Sequence, residues 1–407
     1  MKRITSIVAI AFLVTTTFPG GLALGYVPDT TAPLGGGCPQ LDRWNLSLAA
    51  PLNRRWSTSL SGVHSTVLTV NASGTAAQLN EIEQAIMASF DAWAGVAGVS
   101  FNSAAHPGLI GALGRASDPN SCSNDAETNV DGVNTICFNQ SSTGFANGVL
   151  AFTRTITANA PGVSVGVSGP AAFAGQILDA DTLFANDGQA TFATPGALAT
   201  PQGAGAYDLE SLLTHELGHW FGLSHSPVWR AILFPFAPPP GNFLGGRPTT
   251  QVPDGPLADD DRTGIRSLYP DPGDNVHTGT IRGRILPANP FALATIPSPS
   301  TGRSVTGIFG AHVVAVDADT GAVIAGTLGG WSCDPANPPA RFDGSYEIDR
   351  LAVAHNYKNY AEPLIGLVGP GDFGAPLAEL CGSGATAECT TPAVNLNFSV
   401  RTRPGGP

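Results

Sequence analysis

Apolar side chains recur every three or four positions between Ala76 and Ala94, at Leu79, Ile82, Ile86, Phe90 and Trp93, with polar residues between them. That spacing lines one face of a helix and predicts an amphipathic α-helix. Elsewhere the pattern is shorter. Ser65–Asn71 is β-branched and strand-like, and Val99 and Phe101 open another short strand. Gly148–Thr157 and Ala174–Phe184 also predict strands. Tyr207–Leu223 and Asp259–Leu268 predict helices, the second ended by Tyr269-Pro270. Ala116–Ser142 is rich in Asp, Asn and Ser and predicts a long surface loop. Pro235–Pro256, heavy in Pro and Gly, predicts another.

The texture changes after Asp271-Pro272-Gly273. From Thr278 onward short β-branched runs alternate with turn residues, and helical periodicity is nearly absent. Asp317-Ala318-Asp319-Thr320-Gly321 falls between two such runs and reads as a hairpin turn, with a calcium loop as the less economical alternative. A domain boundary is therefore expected near Gly273. The first residues pattern as an export leader: Lys2 and Arg3 precede the apolar stretch Ile4–Phe18, and Ala23-Leu24-Gly25 offers small residues for cleavage. The stretch is short for a bilayer span and breaks at Pro19-Gly20-Gly21. No later segment is apolar enough to cross a membrane. The expected layout is a leader at 1–25, an arm at 26–53, a first domain at 54–272, an all-β domain at 276–372, and a tail at 373–407 that could add a last strand.

Composition narrows the functional classes. The 407 residues carry 19 Lys and Arg against 31 Asp and Glu, a formal charge of −12 that becomes −14 once Lys2 and Arg3 leave with the leader. An acidic exported chain is a poor partner for nucleic acid or anionic membranes. Six cysteines in such a chain predict disulfides rather than a thiolate metal site. Cys122–Cys137 and Cys381–Cys389 are the preferred local pairs; Cys38 and Cys333 are left over, and the connectivity stays open.

The chemistry concentrates in His215-Glu216-Leu217-Gly218-His219-Trp220-Phe221-Gly222-Leu223-Ser224-His225. Histidines at i and i+4 share one helical face, so both rings can reach one ion. Gly222 lets the backbone leave the helix, with positive φ available to it, so that His225 can return as third ligand. Three neutral imidazoles leave a fourth position open, as in a catalytic zinc site. Glu216 is placed to accept a proton from metal-bound water. Leu217, Trp220 and Phe221 are assigned to packing.

This extended motif resembles that of the metzincin metalloproteases, and its surroundings are most similar to the matrixin branch, over about Arg55–Tyr269. The resemblance implies an α+β zincin domain with a twisted mixed sheet and three main helices. It implies one catalytic zinc and protein or peptide substrates. Ala231-Ile232-Leu233-Phe234-Pro235 matches the turn that carries a methionine beneath the zinc in the family, so Leu233 replaces that methionine. The swap roughly conserves volume, and a hydrophobic floor is expected to survive. Leu257–Tyr269 resembles the last matrixin helix, with Asp260 and Asp261 structural. Gly148–Thr153 resembles the edge strand along which matrixin substrates lie extended. The resemblance thus points to Leu150, Ala151, Phe152, Leu233, Phe234 and Pro235 as substrate-contacting positions. Gln176–Asp181 resembles the neighbouring strand, some of whose acids support calcium in the family; here a structural role for them is an equal alternative. Gly37-Cys38-Pro39 lies where a latency cysteine would sit, but its flanks do not match, and a disulfide or structural thiol is the default.

Gly279–Ile285, Ala311–Val316 and Phe342–Ile348, in that order, resemble the β-sandwich modules called carboxypeptidase-regulatory-like or prealbumin-like domains. Two functions follow. The first is a secreted, monomeric zinc endopeptidase. The second is an extracellular binding or adhesion protein in which the zincin domain is catalytically impaired and the β-sandwich acts; Leu233 is the feature that favours it.

Overall fold

The structure is a computed structural model that describes residues 27–45, 67–71, 76–96, 133–140, 148–164, 170–185, 190–241, 256–286, 307, 311–329, 332–333 and 343–362, positions 32, 35, 36, 39, 95, 199, 201–204 and 272 excepted. The expected leader, the strand at Val99 and Phe101, and the tail lie outside the described residues. These residues form two compact units. One takes in the described residues of 41–223 and 236–257; the other takes in those of 27–40, 224–235 and 258–362.

Near the start of the chain, β1 (Thr30–Thr31) pairs with β2 (Gln40–Leu41). The first unit is then built on β3 (Val67–Asn71), α1 (Ala76–Ala94), β4 (Val133–Gln140), β5 (Ala151–Thr157) and β6 (Ile177–Ala185). The sheet order is β3-β4-β6-β5. The first three strands run parallel, and β5 pairs antiparallel to β6 at the edge, with Phe152 opposite Leu183. Parallel neighbours require a crossover, and α1 lies in the connection between β3 and β4. All nine residues of β6 are buried, as expected for an interior strand.

The helix expected over 76–94 spans those residues, and Ile86, Phe90 and Trp93 on its apolar stripe are buried. The loop expected over 116–142 is corrected in part, because Val133–Gln140 is the interior strand β4. Asp, Asn and Ser upstream dominate the composition there and hide a short run whose Ile136 is 1% exposed. Tyr207–Leu223 is likewise not helical throughout. After β7 (Phe192–Ala193) and a single turn α2 (Pro195–Leu198), β8 (Tyr207–Asp208) pairs with β7, and helix α3 runs Leu209–Trp220. α1 packs on α3, and α3 packs on β5. Trp93 Nε1 donates to the Thr214 carbonyl at 2.9 Å and Ser89 Oγ to that of Glu210 at 3.1 Å, which fixes the rotation of α3.

In the second unit, α4 (Asp259–Leu268) and a single turn α5 (Asp274–His277) lead into β9 (Thr278–Arg284), β10 (Ala311–Asp317), β11 (Val323–Gly329), β12 (Ser345–Ala352) and β13 (Tyr357–Glu362). Two antiparallel sheets, β11-β10-β13 and β12-β9, share a core of Val313, Ala315, Ala325, Ile348 and Leu351, with Ile281, Ile285 and Tyr346 packed around it. Residues 317–321 form the expected turn. Asp317 Oδ1 accepts the N–H groups of Asp319 and Thr320 at 3.0 and 2.8 Å, and Oδ2 lies 2.7 Å from His355 Nδ1. These bonds hold the Asp317 carboxyl down at about 2, with the Thr320 N–H the largest contribution. Cys38 and Cys333, left over by local spacing, are disulfide-bonded with Cα atoms 5.8 Å apart. Cys38 therefore presents no thiolate to a metal. The alternative local pairs rest on residues outside the described set.

Candidate metal centre

Helix α3 begins at a strong cap. Asp208, in extended backbone, accepts the N–H groups of Glu210 and Ser211 at 3.3 and 3.1 Å. Leu209, Leu213, Leu217 and Trp220 are buried, and they hold the helix by its apolar face. His215 and His219 then follow one helical turn apart. Their Nε2 atoms are 3.2 Å from each other. That separation matches the edge of a tetrahedral nitrogen site, roughly 3.3 Å for zinc–nitrogen bonds of about 2.0–2.1 Å. His219 Nδ1 lies 2.7 Å from the Leu223 carbonyl. A carbonyl only accepts, so Nδ1 carries the proton and Nε2 keeps its lone pair for a metal.

The helix ends as the motif requires. The Gly222 N–H donates to the His219 carbonyl at 2.9 Å and the Leu223 N–H to that of Gly218 at 3.0 Å, closing the helix with Gly222 at φ +97°. A Cβ on Gly222 would lie 2.0 Å from the Asp42 carbonyl oxygen, so no other residue fits. Three residues on, His225 offers a ring nitrogen. One ligand atom from each of His215, His219 and His225 lies within 4.8 Å of the others, a cluster that could hold a metal ion.

Glu216 is 3% exposed. Thr153 on β5 donates to its Oε2 at 2.8 Å, and the same hydroxyl lies 3.0 Å from the Glu216 carbonyl and 2.9 Å from Thr182 Oγ1 on β6. Burial pushes the Glu216 carboxyl up to about 8, with the Thr153 hydroxyl opposing that shift. Sequence reasoning missed Thr153 and Thr182. Both are ordinary strand residues by pattern, and only the sheet register brings them under the helix.

The remaining expected positions fall on two elements. Leu150 is half-buried just before β5, and Ala151 and Phe152 open that edge strand. Leu233 and Phe234 are 1% and 5% exposed, and Pro235 is half-buried. Asp261 accepts the N–H groups of Ile232, Leu233 and Ala258 at 2.8, 3.2 and 2.9 Å. Burial still holds its carboxyl up at about 7. Asp179 and Asp181, the acids of the Gln176–Asp181 stretch, are buried in β6.

The matrixin family model matches residues 131–270, which contain α3, the three histidines and α4. Residues 131–270 are thus similar to a matrixin domain. Metalloendoproteinase 1 of Glycine max is 44% identical over 64 residues, covering 16% of this chain and 17% of that protein. Metalloendoproteinase 1-MMP of Arabidopsis thaliana is 36% identical over 95 residues, covering 21% of this chain and 23% of its own length. The chain thus spans about a fifth of the length of these relatives. That similarity implies the α+β zincin fold, and the mixed sheet of the first unit agrees with it. No described helix is long and apolar enough to cross a membrane.

Proposed function

We propose that this protein is an exported zinc-dependent endopeptidase that hydrolyses peptide bonds in protein substrates. The observation that carries this is the cluster of His215, His219 and His225, with ligand atoms within 4.8 Å of one another and Glu216 beside the first of them on the same helix. The donor set fits zinc: three imidazoles, one fixed in the correct tautomer by the Leu223 carbonyl. Bound there, zinc would supply a Lewis acid for the scissile carbonyl and a water of lowered pKa.

The chain's own residues do the rest. Glu216 takes a proton from the attacking water as the new C–O bond forms, and returns it to the amine nitrogen as the C–N bond breaks. Thr153 holds Oε2, which leaves Oε1 for that transfer. The edge strand β5, with Leu150, Ala151 and Phe152 at its start, offers main-chain pairing to an extended substrate. Leu233, Phe234 and Pro235 form an apolar floor and wall, with Leu233 in the place of the family's methionine.

Residues 1–25 act as a cleaved leader, 54–272 as the protease domain and 276–372 as a carboxypeptidase-regulatory-like β-sandwich; the chain acts as a monomer. The two sheets sharing one core support the sandwich. Structural calcium near Asp179 and Asp181 rests on the family resemblance alone.

The test pairs metal analysis of the purified chain with casein and gelatin cleavage, alongside Glu216→Ala. One zinc per chain, with cleavage that the variant abolishes, is the expected result. Bound zinc with no cleavage of any protein or peptide library would instead favour the second function, an extracellular binding or adhesion protein, to which Leu233 points.

A further inference from the structure

His225 lies beyond the end of α3, so helix geometry does not place it as it places His215 and His219. Its two chain neighbours are both held, and both holds lead to the C-terminal β region. On one side, the Ser224 N–H donates to the Val27 carbonyl at 2.7 Å. Val27 belongs to the N-terminal arm, whose Cys38 is disulfide-bonded to Cys333, 295 positions away. Next to Cys333, Ser332 Oγ donates to Asp343 Oδ2 at 2.7 Å, at the entry to β12.

On the other side, Ser226 Oγ donates to Asp260 Oδ2 at 2.5 Å, and Asp260 Oδ1 accepts the Gly326 N–H of β11 at 2.7 Å. Asp260 is 1% exposed, so water does not compete for either bond. β11 ends its sheet order, which leaves N–H groups for partners outside the sheet. The approach is close: a Cβ on Gly326 would lie 2.8 Å from Val228 Cγ2 in the His225 loop and 2.5 Å from His312 Nε2. α4, which carries Asp260, packs on β11 and β12.

We infer that the C-terminal β region is part of the scaffold of the metal site, positioning His225 through Asp260 on one side and through the disulfide-tethered arm on the other. This rests on the proposed zinc function, and it assigns Asp260, Gly326 and the Cys38–Cys333 bond a role in metal retention. Groups that orient ligands from outside the coordination sphere typically change metal affinity by about 10–100-fold.

The experiment is a double-mutant cycle on the full chain, read as zinc affinity by chelator competition and as the visible bands of the cobalt-substituted protein. Asp260→Ala is expected to weaken zinc binding about 10–100-fold when His225 is present, and less than about 2-fold in a His225→Ala background. Asp260→Asn, which keeps an acceptor for the Gly326 N–H, should recover part of the loss. If Asp260→Ala perturbs folding, the Cys38→Ser/Cys333→Ser pair runs the same cycle through the other anchor. Equal weakening in both backgrounds, or no weakening, would overturn the inference. Failure of the wild-type chain to bind zinc, or an affinity indifferent to His225→Ala, would instead overturn the proposed metal centre itself.

Discussion

In α3 the relative spacing of His215, Glu216 and His219 follows from contacts close in the chain, a cap on Asp208, a ring bond to Leu223 and closing hydrogen bonds at Gly218 and His219, while Ser89, Trp93 and Thr153 fix the helix from further away. In the loop Ser224–Pro235 the anchors come from far away. Ser224 is held by Val27, Ser226 by Asp260, and Ile232 and Leu233 by Asp261. Both segments contribute to one histidine cluster. The helical part is specified by its own residues and needs the core mainly for support. The loop closes on itself through a few bonds, among them Ser226 N–H to the Leu233 carbonyl at 2.8 Å, and is anchored from outside by buried carboxylates on a later helix. Damage to the first should therefore show in chemistry, and damage to the second in stability and metal retention.

The largest effect is expected at the helical part. Glu216→Gln should lower peptide cleavage by about 10³–10⁴-fold while zinc content stays at the wild-type level; a variant within ten-fold of wild type would remove Glu216 from the base role. For the loop, Asp261→Ala removes the acceptor of three backbone N–H groups, an expected loss of about 3 kcal/mol at roughly 1 kcal/mol each. Denaturant unfolding reads this directly. The matching lesion at the helix, Asp208→Ala at its cap, should cost only about 1 kcal/mol. Equal losses would erase the contrast.

The arm adds a pH dependence. Burial raises Asp29 from 3.8 to about 7, with Ser224 opposing the shift. A folded-state pKa above the unfolded one means that the native state holds the extra proton. The associated stability is present in full below about 4 and fades as pH rises through about 7. Between pH 5 and 8 the wild type should lose on the order of 2–3 kcal/mol from this group, and Asp29→Asn should lack that part of the decline. Parallel melting curves for the two proteins across that range would refute it.

Smaller effects probe the details. Thr153→Val should reduce kcat about ten-fold with KM unchanged, about 1.4 kcal/mol of barrier, and Thr153→Ser should restore it. A change confined to KM would place Thr153 in substrate binding instead. Leu233→Met should shift stability by less than about 1.5 kcal/mol, because the side chains are close in volume and the site is fully enclosed. A large gain in cleavage from that one substitution would show that the floor residue tunes the chemistry.

Several elements are legible in the residue pattern alone. α1 and α4 occupy the residues that periodicity and helix-stop signals indicate, and the turn at 317–321 sits where its Asp and Gly residues place it. Strand β4 is hidden because a parallel interior strand draws its stability from neighbours on both sides, and its polar upstream sequence dominates the composition. The Cys38–Cys333 bond is obscure for a related reason. Spacing favours short loops, whereas this bond joins residues 295 apart that are adjacent only once the second unit has folded.

By itself the sequence determined the two helical histidines, the glutamate beside the first of them, and the glycine that ends the helix, because a fixed rise and turn per residue converts spacing into geometry. It also marked His225 as the third candidate ligand. His219 is held by Leu223 four positions on, but tertiary structure alone decided what holds Glu216 and the segment that carries His225. Thr153 reaches Glu216 through the register of β5, and Asp260 joins Ser226 to Gly326 across 34 and 66 positions of chain. Such partners carry no local signature, since a hydroxyl or carboxylate becomes specific only when burial removes water as its competitor.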